Sequence, residues 1–479
     1  MLKTGEEYKQ SLRDGRVVLA ADGTRVDDVT THPQFKDAID NIAALYDMQH
    51  EPELRDVAAY KDDETGELAS RAWQVPRTKE DLVSRRELAR MSTYHTLGVF
   101  GRPPDYGSFN ALGLLSVADR IANASPQGAS NIDDFIRWGR DNNAMSADIV
   151  ADVQSDRSVP TAQKPGRLRS VEQRKDGLVI YGAKPCASVA VQAHVGTVVT
   201  LLTPGADPDA NMFCYVPINA PNLTLVAREP VINRGTDLAD HALDSRGEEP
   251  DSMLVFDRVF IPNEHIFSFR DPQMLGLYHE LGALALWHIL ARLAYKAEIF
   301  AGTAQVIVDV LGTENIPQVR DSISEIAAYA TTLKAFVLAA EDTAKPANGV
   351  LVPAERFVTA GRLHSVENYP RILQLMREIS GQGLISRFSQ KQFEDGSIGE
   401  MLREFLPGTG VSAEAKNRVF NFVWDLTCSA NAQRVALFEN VNATPPSAMR
   451  ARIYNSDYRQ PWRDFVLDRL GVDIAPQGR

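Results

Sequence analysis

Hydrophobic spacing changes twice along this chain, and that double change limits the possible folds more than any single residue does. Up to about residue 147, apolar residues recur three and four positions apart, as over 37–48, 79–91 and 109–124, the signature of helices with one buried face. From about 148 to 270 the pattern becomes short runs of β-branched and aromatic residues: 177–181, 196–202, 212–216, 223–227 and 252–261. Gly, Pro, Asn and Asp separate these runs. Helical spacing then returns over 281–311, 320–343 and 412–441, with Ser412 placed as the N-cap of the last segment. The expectation is an α+β protein, mostly α, in three parts: an N-terminal helical domain (1–147), a middle β-barrel (148–270) and a C-terminal helical bundle (271–479). Short runs at this spacing also suit a small sandwich. A β-ribbon is expected over 16–26, turning at Asp22-Gly23, and the Pro/Asp-rich stretch 203–211 reads as an exposed loop.

Length and charge narrow the function. The chain has 479 residues, and 51 Lys+Arg against 63 Asp+Glu leave a net charge of −12. That balance argues against nucleic acid or an anionic membrane as the main partner, while leaving room for a local basic pocket. The apolar region 281–293 is interrupted by His288 and Arg292, so no membrane span is expected. Three scattered cysteines, Cys186, Cys214 and Cys428, make no disulfide framework. With no apolar leader after the first charges, the expected compartment is the cytoplasm. The sequence contains no P-loop, no G-x-S-x-G, no H-E-x-x-H and no C-x-x-C, which makes a P-loop enzyme, a serine hydrolase or a zinc enzyme poor readings.

Six segments carry candidate chemistry. Gly101-Arg-Pro-Pro-Asp-Tyr-Gly107 forces a stiff loop that can hold Arg102 and Tyr106 against an anionic or phenolic oxygen; the plain alternative is a surface turn with Arg102 paired to Asp105. Gln154-Ser-Asp-Arg-Ser-Val-Pro160 is either a flavin-edge or pyrophosphate loop, through Arg157 and Ser158, or a polar linker. Tyr181-Gly-Ala-Lys-Pro-Cys-Ala-Ser-Val189 has small residues that let backbone approach a flat ring, with Ser188 at its edge, or it is a tight corner. His288, on an apolar helix, is either a satisfied core residue or a group able to take a phenolic proton. Ser380-Gly-Gln-Gly-Leu384 can bind a nucleotide or simply join two helices. Ser429-Ala-Asn-Ala-Gln-Arg434 offers Arg434 to a phosphate or to solvent.

Several of these segments, with others in the same order, resemble one family. Lys3-Thr-Gly-Glu-Glu-Tyr8, Ser11-Leu-Arg-Asp-Gly15, Arg25-Val-Asp-Asp-Val-Thr-Thr-His-Pro33 and Leu45-Tyr-Asp47 match in the first third. The segments around Arg102, Gln154 and Ser188 follow, then Arg228-Glu-Pro230, Phe256-Asp-Arg-Val259 and Trp424-Asp-Leu426. The chain resembles the 4-hydroxyphenylacetate 3-monooxygenase family, oxygenase components of two-component flavin-dependent phenol hydroxylases with an acyl-CoA dehydrogenase-like fold.

The resemblance implies reduced FAD (FMN being the other flavin) delivered by a separate reductase, O2, a flavin C4a-hydroperoxide, and a small aromatic substrate. It also implies a homotetramer or homodimer. By the same resemblance Arg102, Tyr106 and His288 handle substrate and protons. Gln154, Arg157, Ser158, Ser188, Asn431 and Arg434 contact flavin. One position departs from the pattern: Asp148 stands where the family usually carries a histidine before its Gln-x-x-Arg segment, so Asp148 is expected at the substrate, favouring an amine-bearing ring over a carboxylate. The segment 429–433 is also poorer in glycine than is usual. Rival readings are an acyl-CoA dehydratase or dehydrogenase of the same fold, and a non-catalytic scaffold.

Overall fold

The computed structural model describes residues 2–153, 155–156, 158–160, 164, 166–200, 207–232, 238–442 and 444–474. Two of the N-terminal helices begin at capping boxes. Thr4 and Thr78 each accept from the N3 backbone, and Glu7 and Asp81 return the bond, opening helices Gly5–Ser11 and Lys79–His95.

The strands are β1 (Val17–Leu19), β2 (Ala59–Lys61), β3 (Leu68–Ser70), β4 (Ser146–Ile149), β5 (Arg169–Arg174), β6 (Gly177–Ser188), β7 (Val195–Val199), β8 (Met212–Pro217), β9 (Leu223–Ala227), β10 (Asp251–Pro262), β11 (Ile266–Phe269), β12 (Lys345–Ala347) and β13 (Val350–Val352). The middle region forms two sheets, β1-β9-β10-β6-β5 and β11-β8-β7-β4. Among the described residues these stay separate and no closed barrel forms, so the expected barrel is corrected to two open sheets. The ribbon expected over 16–26 turns at Gly23 (φ 81°), and the Val26 amide donates to the Val18 carbonyl. Its first strand, however, lies parallel to β9. Val18 is fully buried there, so the start of the chain completes the middle sheet rather than a separate N-terminal unit.

The C-terminal bundle is built on helix Ala283–Leu311, packed by Pro317–Asp342 and Glu355–Ser380. Helix Pro317–Asp342 is long and apolar enough to cross a membrane by length and composition. Here Ile326, Leu333 and Val337 are buried in the bundle. Pro370 sits inside Glu355–Ser380. The single helix expected over 412–441 breaks instead. Ser429 caps a new start by accepting from the Ala432 amide at 3.0 Å, giving Ala413–Thr427, Ala430–Leu437 and a π-turn Phe438–Asn442. That break aims Arg434 and Phe438 at the loop around Arg102.

Candidate active site

The loop 101–107 is held from three sides. Arg85, fully buried in helix Lys79–His95, donates to the Gln74 carbonyl at 2.8 Å, the Asp105 carbonyl at 3.2 Å and Ser108 Oγ at 3.1 Å. The Arg102 backbone amide donates to Glu249 Oε1. The loop's two glycines are demanded by contact. A Cβ on Gly107 would lie 1.8 Å from the Ser146 carbonyl, and one on Gly101 would lie 2.4 Å from the Phe438 ring. The first contact presses the loop onto β4, where Asp148 sits; the second presses it onto the π-turn.

Arg102, Tyr106, Asn110 and Asp148 then line one cavity of about 680 Å³. Asp148 accepts from Asn110 Nδ2 and is hydrogen-bonded by Tyr106. The Arg102 guanidinium lies over the Tyr106 ring at 4.2 Å and over Phe438 at 4.8 Å. Burial pushes the Asp148 carboxyl up to about 6, against the pull of Arg102 and Tyr106. Burial opposes the charge of Arg102, but Tyr106, Asp148, Glu249 and Glu439 together raise its pKa. One end of the cavity thus holds a fixed cation beside a carboxyl that changes charge near neutrality.

The middle region contributes a wall of small and apolar side chains, including Val150, Ala151, Cys186, Ser188 and Val199. Helix Ala283–Leu311 and its approach contribute Gly282, Ala285, Leu286 and Ile289. The volume falls in the range of roughly 300–1,000 Å³ typical of small-molecule and cofactor sites. The cleft thus combines small and apolar side chains with the polar group Arg102, Tyr106, Asn110 and Asp148. Ser188 is the polar group on that wall, and it donates to Asp251 Oδ1 at 2.6 Å.

Other expected residues lie elsewhere. His288 does not line the cavity: it is fully buried behind Tyr106 and Phe109, with Nε2 bonded to Asp105 Oδ2 at 2.6 Å. Burial lowers its pKa, against the pull of Asp105; Nε2 faces the Asp105 carboxylate, and Nδ1 has no partner among the described residues. Asp105 therefore pairs with His288 and not with Arg102. Arg434 is engaged with protein: it donates to Glu249 Oε2 at 2.8 Å and to both oxygens of Asp251 at 2.6 Å. Asn431 is buried and donates to Asp244 Oδ1. Ser158 is exposed and bonded to Asp156. The segment 380–384 forms a tight turn ending helix Glu355–Ser380, off the cavity wall. Gln154 and Arg157 lie outside the described residues. Sequence reasoning missed Asn110, Glu249 and Phe438. Asn110, four residues beyond Tyr106 on a helical pattern, had a signal; the other two come from distant segments and had none.

A β region and a helical bundle that wall one cleft, with Arg102, Tyr106 and Asp148 on its lining, make an acyl-CoA dehydrogenase-like architecture. Models of the 4-hydroxyphenylacetate 3-hydroxylase N-terminal and C-terminal regions match residues 4–268 and 275–470. The chain belongs to the 4-hydroxyphenylacetate 3-hydroxylase family. It is 31% identical to the 4-hydroxyphenylacetate 3-monooxygenase oxygenase component of Thermus thermophilus, covering 97% of each chain. It is 33% identical to the oxygenase component of a 4-nitrophenol 4-monooxygenase/4-nitrocatechol 2-monooxygenase from Rhodococcus opacus, covering 98% of this chain and 91% of that one. A crystal structure of a 4-hydroxyphenylacetate 3-monooxygenase oxygenase component complexed with FAD and 4-hydroxyphenylacetate matches with a TM-score of 0.92, at 29% identity over 98% of each chain.

Proposed function

We propose that this protein is the oxygenase component of a two-component monooxygenase that hydroxylates a phenolic substrate, using reduced FAD delivered by a separate reductase. The observation that carries this reading is the convergence of Arg102, Tyr106 and Asp148 at one end of a single large cavity. The family, the relatives described as oxygenase components and the solved complex with FAD support it.

Bound reduced flavin, with O2, supplies the oxygen atom that the phenol accepts. The chain's own residues prepare the phenol. Arg102 holds the phenolic oxygen and favours its anion, whose ring carbon is the better nucleophile. Asp148, ionised above about pH 6, accepts the phenolic proton. Tyr106 hydrogen-bonds Asp148, and Asn110 fixes the carboxyl's other contact. His288 and Asp105 act one layer back, fixing the floor on which Tyr106 rests. Leu114, Leu286, Ile289 and Phe213 keep water from the reacting end.

The three free cysteines support a reducing cytoplasm. Exposed Trp462, Phe465, Val466 and Leu470 on helix Gln460–Leu470 support burial of that face in a homodimer or homotetramer.

The test is a panel of phenols turned over with NADH, FAD and a generic flavin reductase, read by product mass. The expected product is one oxygen atom heavier than its phenol. Flavin binding with no oxygenated product from any phenol would overturn the reading.

A further inference from the structure

The far end of the cavity carries charges that hydroxylation does not use. The cavity's direction can be read along helix Ala283–Leu311. The phenol-handling end lies level with His288, which bonds Asp105. The opposite end lies level with Leu281, whose carbonyl sits 2.1 Å from where a Cβ on Gly113 would be. From Ile289 to Gly282, both on the wall, is seven residues, or about 10 Å at 1.5 Å per residue. At that far end two charged side chains face the same cavity. Glu355 opens helix Glu355–Ser380, and it also borders a neighbouring cavity with Glu280 and Ala283. Arg452 comes from helix Pro446–Asn455.

Arg452 acts on the Glu355 carboxyl without forming an ion pair with it. No ion pair joins them among the described residues, and Arg452 Nη1 is shut off from solvent without a hydrogen-bond partner. Burial pushes the Glu355 carboxyl above its ordinary value, with Arg452 pulling it back and Glu280 adding to the rise. A buried guanidinium nitrogen without an acceptor is costly, and the accessible remainder of the Arg452 side chain lines the cavity. A cation and a carboxyl on the lining of one cavity match a ligand that carries both charges.

We propose that Arg452 and Glu355 form a recognition pole for the substrate's tail, Arg452 binding a carboxylate and Glu355 an ammonium, so that the preferred substrates are phenols with an amino-acid tail. This rests on the phenol hydroxylase reading and names its substrate class. Charge-assisted contacts of this kind set KM rather than the rate of the oxygen step.

The experiment compares four probes on the wild-type protein and on Arg452→Gln and Glu355→Gln: L-tyrosine, tyramine, 4-hydroxyphenylpropionate and 4-methylphenol. Wild type should show the lowest KM for L-tyrosine and the highest for 4-methylphenol. Arg452→Gln should raise KM about tenfold or more for L-tyrosine and 4-hydroxyphenylpropionate and leave tyramine and 4-methylphenol unchanged. Glu355→Gln should do so for L-tyrosine and tyramine alone. FAD titration should give the same affinity in all three proteins. Equal shifts for all four probes, or weakened FAD binding in Arg452→Gln, would overturn the proposal; the second result would assign Arg452 to the cofactor's phosphates. Calorimetric binding of the same probes to FAD-loaded protein gives the ranking without turnover. Loss of all hydroxylation with the ranking intact would therefore defeat the hydroxylase reading and not the pole.

Discussion

Phe438 lies between two arginines that do opposite work. The guanidinium of Arg434 is 4.7 Å from its ring and that of Arg102 is 4.8 Å. Arg434 directs its nitrogens at Glu249 and Asp251, and Asp251 also takes Arg228 and Ser188. That knot ties the C-terminal helices to β6 and β10 and is structural. Arg102 makes one side-chain hydrogen bond, to the carbonyl of its neighbour Gly101, and its positive charge faces Asp148 across an open cavity. The two sites share Glu249, which bonds the Arg102 backbone with one oxygen and the Arg434 side chain with the other. The lesson is that a buried arginine is read by where its N–H groups go. Fully paired, it holds the fold; under-paired on a cavity wall, it awaits a ligand.

Substitutions should separate the two. Arg434→Met leaves Glu249 buried without its cation and Asp251 with Arg228 alone, and should cost about 3–5 kcal/mol of stability. Thermal unfolding is the check, and an unchanged midpoint would break the contrast. Arg102→Ala should leave the midpoint nearly unchanged while lowering kcat/KM by roughly 100- to 1,000-fold, or about 2.7–4 kcal/mol, the size of losing one preorganised electrostatic contact. Wild-type turnover in that variant would remove Arg102 from the site. Asp148→Asn should lower kcat/KM about 100-fold at neutral pH. The smallest effect is expected from His288→Gln. Its layer-back position predicts about a tenfold fall in kcat and no change in the pH profile; a larger loss that shifted the profile would make it a direct proton carrier.

Much of this was legible in the sequence because it lies in local pattern. The double change of periodicity marked where helices give way to strands and return, and the Gly/Pro punctuation of 101–107 marked the loop that carries Arg102 and Tyr106. Asp148 stood out as an acid in place of a ring. What was not legible depends on contacts between distant segments. His288 looked like a proton carrier because its residue type permits it, but only the fold shows that Asp105 takes its Nε2 and Tyr106 shields it from the cavity. Arg434 looked available because its partners lie about 180 residues away, on β10 and just before it. The barrel was over-read because short β runs do not say whether sheet edges meet.

The central claim is that Asp148, beside Arg102, takes the phenol's proton. The direct measurement is the pH dependence of kcat/KM for hydroxylation by the wild-type protein and by Asp148→Asn, with reduced flavin supplied in excess. A carboxyl raised to about 6 is charged above that pH and protonated below it, so wild-type activity should fall as pH drops through about 6. The Asn variant should be slower and should lack that limb. An acid limb of the same position in both proteins would contradict the claim.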